Sequence, residues 1–292
     1  MASQTQYMTF HVNDARNRSL LLLLPGISGS SRQWDAVIER LADLPVDVAF
    51  GAAILASPAF GDTIPSISDV ARGLAKDLHG ANYDHVVIAS HSVGSFVALD
   101  IAHQIPAHVS ALILINGGLT TAARFLDRPW RGLFRQPIAC LTFVRLFALV
   151  SVPAPARLRK AIANSRWFSR VMFGKFVSAA MLDTQQARSS LIAGPGQPAV
   201  LPSIWKNRHY WRKFAGYAQN IDADVLFVVG GKDPMSTERD TKLMASIVPG
   251  ARVEVLHGIG HAAPLEAADA ITAIVRLAFD VAWNAHPRGG VR

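Results

Sequence analysis

The stretch His85-Val86-Val87-Ile88-Ala89-Ser90-His91-Ser92-Val93-Gly94-Ser95-Phe96-Val97-Ala98-Leu99 decides the fold. Its first part, His85 to Ser90, is short, apolar and rich in β-branched residues, the pattern of a strand buried on both faces. Val93 to Gln104 has the length and apolar content of a helix. The chain must therefore turn sharply around Ser92. Ser90 and Gly94, two residues before and after it, are small enough to let the neighbouring backbone approach. Such a turn lifts the Ser92 hydroxyl above the sheet at a helix N-terminus, where the amide of Val93 points at any oxyanion that forms. A serine that only caps a helix is the competing reading of an isolated S-x-S-x-G, and the position between strand and helix favours the reactive one.

Outward from this stretch the same alternation continues. Ser19 to Leu24, Val46 to Leu55 and Ala111 to Ile115 read as strands, with helices over Trp34 to Leu41 and Ile67 to Leu78, the second capped by Ser66 or Ser68. From Gly118 to about Asn220 the alternation stops, and prolines, arginines and aromatics replace it. It resumes with the strand Val225 to Val229, a helix from Thr237 to Ile247, the strand Arg252 to Leu256 and a helix from Glu266 to Asp280. The expected class is α/β: a mostly parallel sheet flanked by helices, interrupted once. Residues 1–117 and 221–292 form the core, and 118–220 a helical cap.

An alcohol is a poor nucleophile without a base in hydrogen-bond reach and an acid to orient that base. Gly258-Ile259-Gly260-His261 follows a strand, and its glycines let the loop bend His261 back over Ser92. His257 competes, but it continues directly from the strand and is expected to be fixed by packing. Asp233, in Gly230-Gly231-Lys232-Asp233-Pro234, follows another strand, although an aspartate before proline is commonly a turn residue. Each residue lies just past a strand end, in the chain order Ser92, Asp233, His261.

With that conjunction the sequence resembles the α/β-hydrolase superfamily over nearly its whole length except the cap. Leu24-Pro25-Gly26-Ile27-Ser28-Gly29 resembles the family's first oxyanion loop, with Pro25 where a histidine is usual, and Trp34 falls where the family often has an aromatic. Pro58-Ala59-Phe60-Gly61-Asp62-Thr63 is similar to a second family loop, with Ala56 and Ala59 in place of the usual aspartate and glycine. The resemblance implies an α/β-hydrolase fold, a Ser92-Asp233-His261 triad, and an oxyanion hole built from the amides of Ile27 and Val93. The family's other place for the acid reads Asn116-Gly117-Gly118, without a carboxylate, which favours Asp233. The implied activity is hydrolysis of a carboxylic ester, thioester or lactone through an acyl-enzyme. Related folds with similar triads also cleave carbon–carbon bonds, act as lyases, run cofactor-free oxygenation or bind small molecules without turnover. Substrate contacts are expected from the cap near Trp130 and Trp167.

Composition narrows the rest. Hydrophobic residues make up 50% and charged residues 17% of 292, ample for a core. The single cysteine, Cys140, excludes an internal disulfide. Neither metal-ligand spacing among the histidines nor a phosphate-binding glycine loop occurs, so no metal and no cofactor is expected. The polar start lacks the pattern of a secretory signal, and Ile138 to Val152 is interrupted by Arg145 and short of the ~20 residues a span needs, so the chain reads as cytoplasmic. The net charge of +8 is segregated: residues 118–220 hold sixteen Lys and Arg against two Asp and Glu. Arg124, Arg128, Arg131 and Arg135 recur at helical spacing beside Trp130 and Phe134, and Arg166 and Arg170 flank Trp167. This makes the cap a candidate for contact with anionic or amphipathic substrates or an anionic membrane surface, against a plain solvated face. No nucleic-acid-binding motif accompanies the charge.

Overall fold

The computed structural model describes residues 7–14, 16–26, 31–51, 64–81, 83–118, 165–167, 170, 174, 177–178, 181, 203 and 206–285. Strand β2 (Ser19–Leu24) is buried at every position, and its period of two divides the core. Leu20, Leu22 and Leu24 enter one apolar cluster and Leu21 and Leu23 another, one on each face of the sheet. The other strands are β1 (Met8–Val12), β3 (Asp47–Gly51), β4 (His85–His91), β5 (Val109–Ile115), β6 (Asp224–Gly230) and β7 (Arg252–Leu256). They form one sheet in the order β1-β3-β2-β4-β5-β6-β7, with β1 antiparallel to β3 and all other pairs parallel.

Helices cover both faces. Among the described residues they are α1 (Asp35–Arg40), α2 (Ile67–His79), α3 (Gly94–Gln104), α4 (Tyr210–Tyr217), α5 (Glu238–Ala245), α6 (Ala263–Glu266) and α7 (Ala268–Ala285). Ile67, Val70 and Leu74 of α2, Phe96 of α3, Phe214 of α4 and Met244 of α5 share the first cluster. Val37 of α1 and Ile271, Val275 and Phe279 of α7 share the second with Trp34. Ser66 starts α2 with a reciprocal cap: its side chain accepts from the Asp69 amide, and the Asp69 carboxylate accepts from the Ser66 amide at 2.9 Å.

Three elements differ from the sequence expectation. Strand β1 lies in the start that the sequence presents as merely polar, because an edge strand with only Met8 buried carries little apolar alternation. The last helix is two: Pro264 opens α6, and Ala267 leaves the helical region before α7 begins. Helix α4 lies inside the span 118–220 expected for the cap, yet it is buried against α3, with Tyr210 and Phe214 on Phe96 and Tyr217 stacked on His103. The buried carboxylate of Asp100 anchors it, accepting from Tyr210 Oη at 2.8 Å, Ser68 Oγ at 2.9 Å and Gln104 Nε2 at 2.9 Å. Residues 119–164 fall outside the described residues.

Candidate active site

Ser92 sits between β4 and α3 with φ of +53°, a conformation a non-glycine residue adopts only where its surroundings impose it. Its amide donates to the Ile115 carbonyl at 2.9 Å, which pins the turn to the end of β5. Gly94 lets α3 begin directly against the end of β2: a Cβ there would lie 2.5 Å from the Pro25 carbonyl oxygen. The amide of Val93 has no acceptor among the described residues, as an oxyanion donor requires. Ile27 and the loop Pro58 to Thr63 lie outside the described residues.

Asp233 is held by the turn that ends β6. Its amide donates to the Gly230 carbonyl at 2.9 Å, and its Oδ1 accepts from the amides of Met235 at 2.8 Å and Ser236 at 3.1 Å. That leaves Oδ2 facing His261 Nδ1 at 2.7 Å. Beyond β7 the chain turns at Gly258, whose φ of +82° favours glycine, and brings His261 Nε2 to 3.1 Å from Ser92 Oγ. An ionised carboxylate only accepts, so Nδ1 carries the proton and Nε2 presents its lone pair to the serine hydroxyl. The Asp233 side chain is fully buried and that of His261 is 15% exposed, which keeps bulk water from competing for their bond.

His261 is also gripped through its main chain, by residues the sequence reading did not assign to the site. Its carbonyl accepts from His91 Nε2 at 2.7 Å and from Asn116 Nδ2 at 2.6 Å. His91 is buried, and that burial, reinforced by the neighbouring His261, pushes its pKa down to about 3. The ring is therefore neutral, with its proton on Nε2. Glu266 accepts from the amides on either side of His261, Gly260 at 3.3 Å and Ala262 at 3.2 Å, and from Ser178 at 2.9 Å. The sequence signal for these residues is polarity where a strand or helix end should be apolar and, for Asn116, its place at the family's other acid position.

The remaining sequence candidates are placed as follows. His257 is exposed, not fixed by packing, because it extends past the end of an edge strand, near Glu238. Trp167 is 73% exposed, and Trp130 lies outside the described residues. Among the described residues no group of three or more His, Cys, Asp or Glu could hold a metal ion, and no helix is long and apolar enough to cross a membrane.

A model of the alpha/beta hydrolase family matches residues 21–274. A pimeloyl-[acyl-carrier protein] methyl ester esterase of Aromatoleum aromaticum is 25% identical over 254 residues, covering 84% of this chain and 92% of that protein. A 2-hydroxy-6-oxononadienedioate/2-hydroxy-6-oxononatrienedioate hydrolase of a Pseudomonas species is 25% identical over 178 residues, covering 54% of this chain and 59% of its own length. Among solved structures, a carboxylesterase of the ammonia-oxidizing thaumarchaeon Nitrososphaera gargenis superposes with a TM-score of 0.65 at 20% identity, over 98% of this chain and 99% of that one.

Proposed function

The chain belongs to the alpha/beta hydrolase family, and on that premise we propose that it is a serine hydrolase acting on a carboxylic ester, thioester or lactone. One observation carries this reading: Ser92 Oγ, His261 and Asp233 form a continuous hydrogen-bonded chain, at 3.1 Å and 2.7 Å. Ser92 attacks the acyl carbon while His261 Nε2 takes its proton. Asp233 holds the imidazole in the required tautomer and balances the imidazolium. Oxyanion charge falls to the amide of Val93 and, by the family likeness, of Ile27. His261 then protonates the leaving alcohol or thiol, and the acyl group stays on Ser92. A water gives its proton to the same nitrogen, its hydroxide oxygen attacks the acyl-enzyme, and the carboxylic acid leaves as Ser92 recovers its proton.

The methyl ester esterase relative, aligned over most of both chains, favours an ester over the alternatives of carbon–carbon cleavage, lyase chemistry or binding without turnover. We take 1–117 and 221–292 as the core and 118–220 as the cap, with α4 packed onto the core. The cap's excess of Lys and Arg favours anionic or amphipathic acyl substrates. Turnover of short-chain aryl esters, with fluorophosphonate labelling of Ser92, tests the reading. Wild type turns over and is labelled, and Ser92→Ala does neither. Equal turnover by the alanine variant would overturn the proposal. Raising salt should lower the specificity constant for a carboxylated ester more than for a neutral one of equal acyl length.

A further inference from the structure

The strand order sets a mechanical problem at this site. Ser92 follows β4 and His261 follows β7, with β5 and β6 between them. Three strand spacings of about 4.8 Å put the two strand ends roughly 14 Å apart. The imidazole nonetheless reaches 3.1 Å from Ser92 Oγ, so the loop after β7 must run back across the sheet edge and be held there. Asn116 stands in its path, immediately past the end of β5.

Asn116 is fully buried and has φ of +49°. Its Oδ1 accepts from the Gly230 amide at 2.7 Å, at the start of the loop that carries Asp233. Its Nδ2 donates to the carbonyls of Gly260 at 3.0 Å and His261 at 2.6 Å. Its own amide donates to the Val228 carbonyl at 2.7 Å. Partner chemistry fixes the side-chain orientation, since an amide N–H can only donate and the two carbonyls can only accept. One short side chain thus ties the acid's loop to the base's loop, and both amide hydrogens are spent on the main chain at His261.

We infer that Asn116 is a positioning residue for the base: it acts on His261 through the main-chain carbonyl and sets the reach of the imidazole from β7 to Ser92. His91, donating to the same carbonyl, is the other half of this clamp. The inference rests on the serine-hydrolase reading, and it specifies what that reading leaves open, how the imidazole is held over the serine. Aspartate at 116 has nearly the shape of asparagine but no donors. It keeps the bond from Gly230 and turns an oxygen toward two carbonyl oxygens.

The test compares full-length wild type, Asn116→Ala and Asn116→Asp. The readouts are the rate of fluorophosphonate labelling at Ser92, kcat and KM for an aryl ester per labelled site, and the downfield proton resonance of His261 Nδ1. Labelling rate and kcat should fall by about 10- to 100-fold with KM little changed, as a displaced reacting group requires. Asn116→Asp should fall at least as far as Asn116→Ala, and the Nδ1 resonance should shift or exchange away in both. Unchanged kcat per folded site with an unchanged resonance, even alongside a lower melting temperature, overturns the inference and leaves Asn116 a purely structural residue. If neither variant folds, His91→Phe removes the second donor to the same oxygen, and an unaltered resonance and labelling rate there overturns it equally. Wild type that is not labelled refutes the hydrolase reading instead, and the resonance still decides whether Asn116 positions the imidazole.

Discussion

The proposed nucleophile and the proposed base are held by opposite means. Ser92 leaves β4, a central strand buried at six of its seven positions, while His261 leaves β7, an edge strand with no fully buried position. On the nucleophile side the constraint is steric: a positive φ at Ser92 and a helix start pressed against Pro25. On the base side it is polar: Asp233 on the ring, Asn116 and His91 on the carbonyl, Glu266 on the flanking amides. Packing is cooperative with the whole core, whereas hydrogen bonds to one loop are local. Damage on the first side should reach stability, and damage on the second should fall mainly on turnover.

The largest expected effect lies on the base side. Asp233→Asn should fold normally and lose about 10⁴-fold in kcat, since an amide can hold the wrong tautomer and cannot balance the imidazolium. Near-normal turnover would remove Asp233 from the triad. On the nucleophile side, Gly94→Ala puts a methyl against the Pro25 carbonyl and should cost about 1–3 kcal/mol in a urea titration, with slower labelling of Ser92. A stable Gly94→Ala variant with impaired labelling would break the comparison.

A smaller effect concerns acid. His91 is neutral in the folded protein down to about pH 3, whereas an unfolded histidine protonates near 6.5. Between those values the unfolded chain binds the additional proton, so stability falls as pH drops through that window, with a slope on the order of 1 kcal/mol per pH unit from this group. His91→Phe should flatten that acid limb relative to wild type, measured as urea midpoints from pH 7 to pH 4. Parallel curves would show that the ring is not held neutral. The smallest effect belongs to the exposed His257, whose replacement by alanine should change stability by less than about 0.5 kcal/mol and turnover not at all. Loss of turnover in that variant, with His261→Ala still active, would reverse the assignment of the base.

Burial explains part of what the sequence reveals. Strands buried on both faces announce themselves as apolar runs, so β2, β4, β5 and β6 are legible within two residues at each end, and a serine at the strand-to-helix junction follows directly. Edge strand β1 is not, because solvent on one face permits polar residues at most positions, whereas edge strand β7, also without a fully buried position, is legible as Arg252 to Leu256. Asp233 and His261 are legible through their glycine-bearing loops after strands. Asn116 and His91 are not, since their partner is a main-chain carbonyl 145 and 170 residues away, and Glu266 is not, since its partners are main-chain amides. A backbone acceptor leaves no residue type to recognise.

Chain order adds a consequence for the protein during its synthesis. Ser92 precedes the histidine it contacts by 169 residues. At about 5–20 residues per second, the serine leaves the ribosome roughly 10 to 30 s before its base. Throughout that interval β4 and α3 can assemble around a hydroxyl that has nothing to take its proton. If Ser92 and His261 act as proposed, reactivity begins only when β7 docks, and a nascent chain stays inert toward acyl compounds until then.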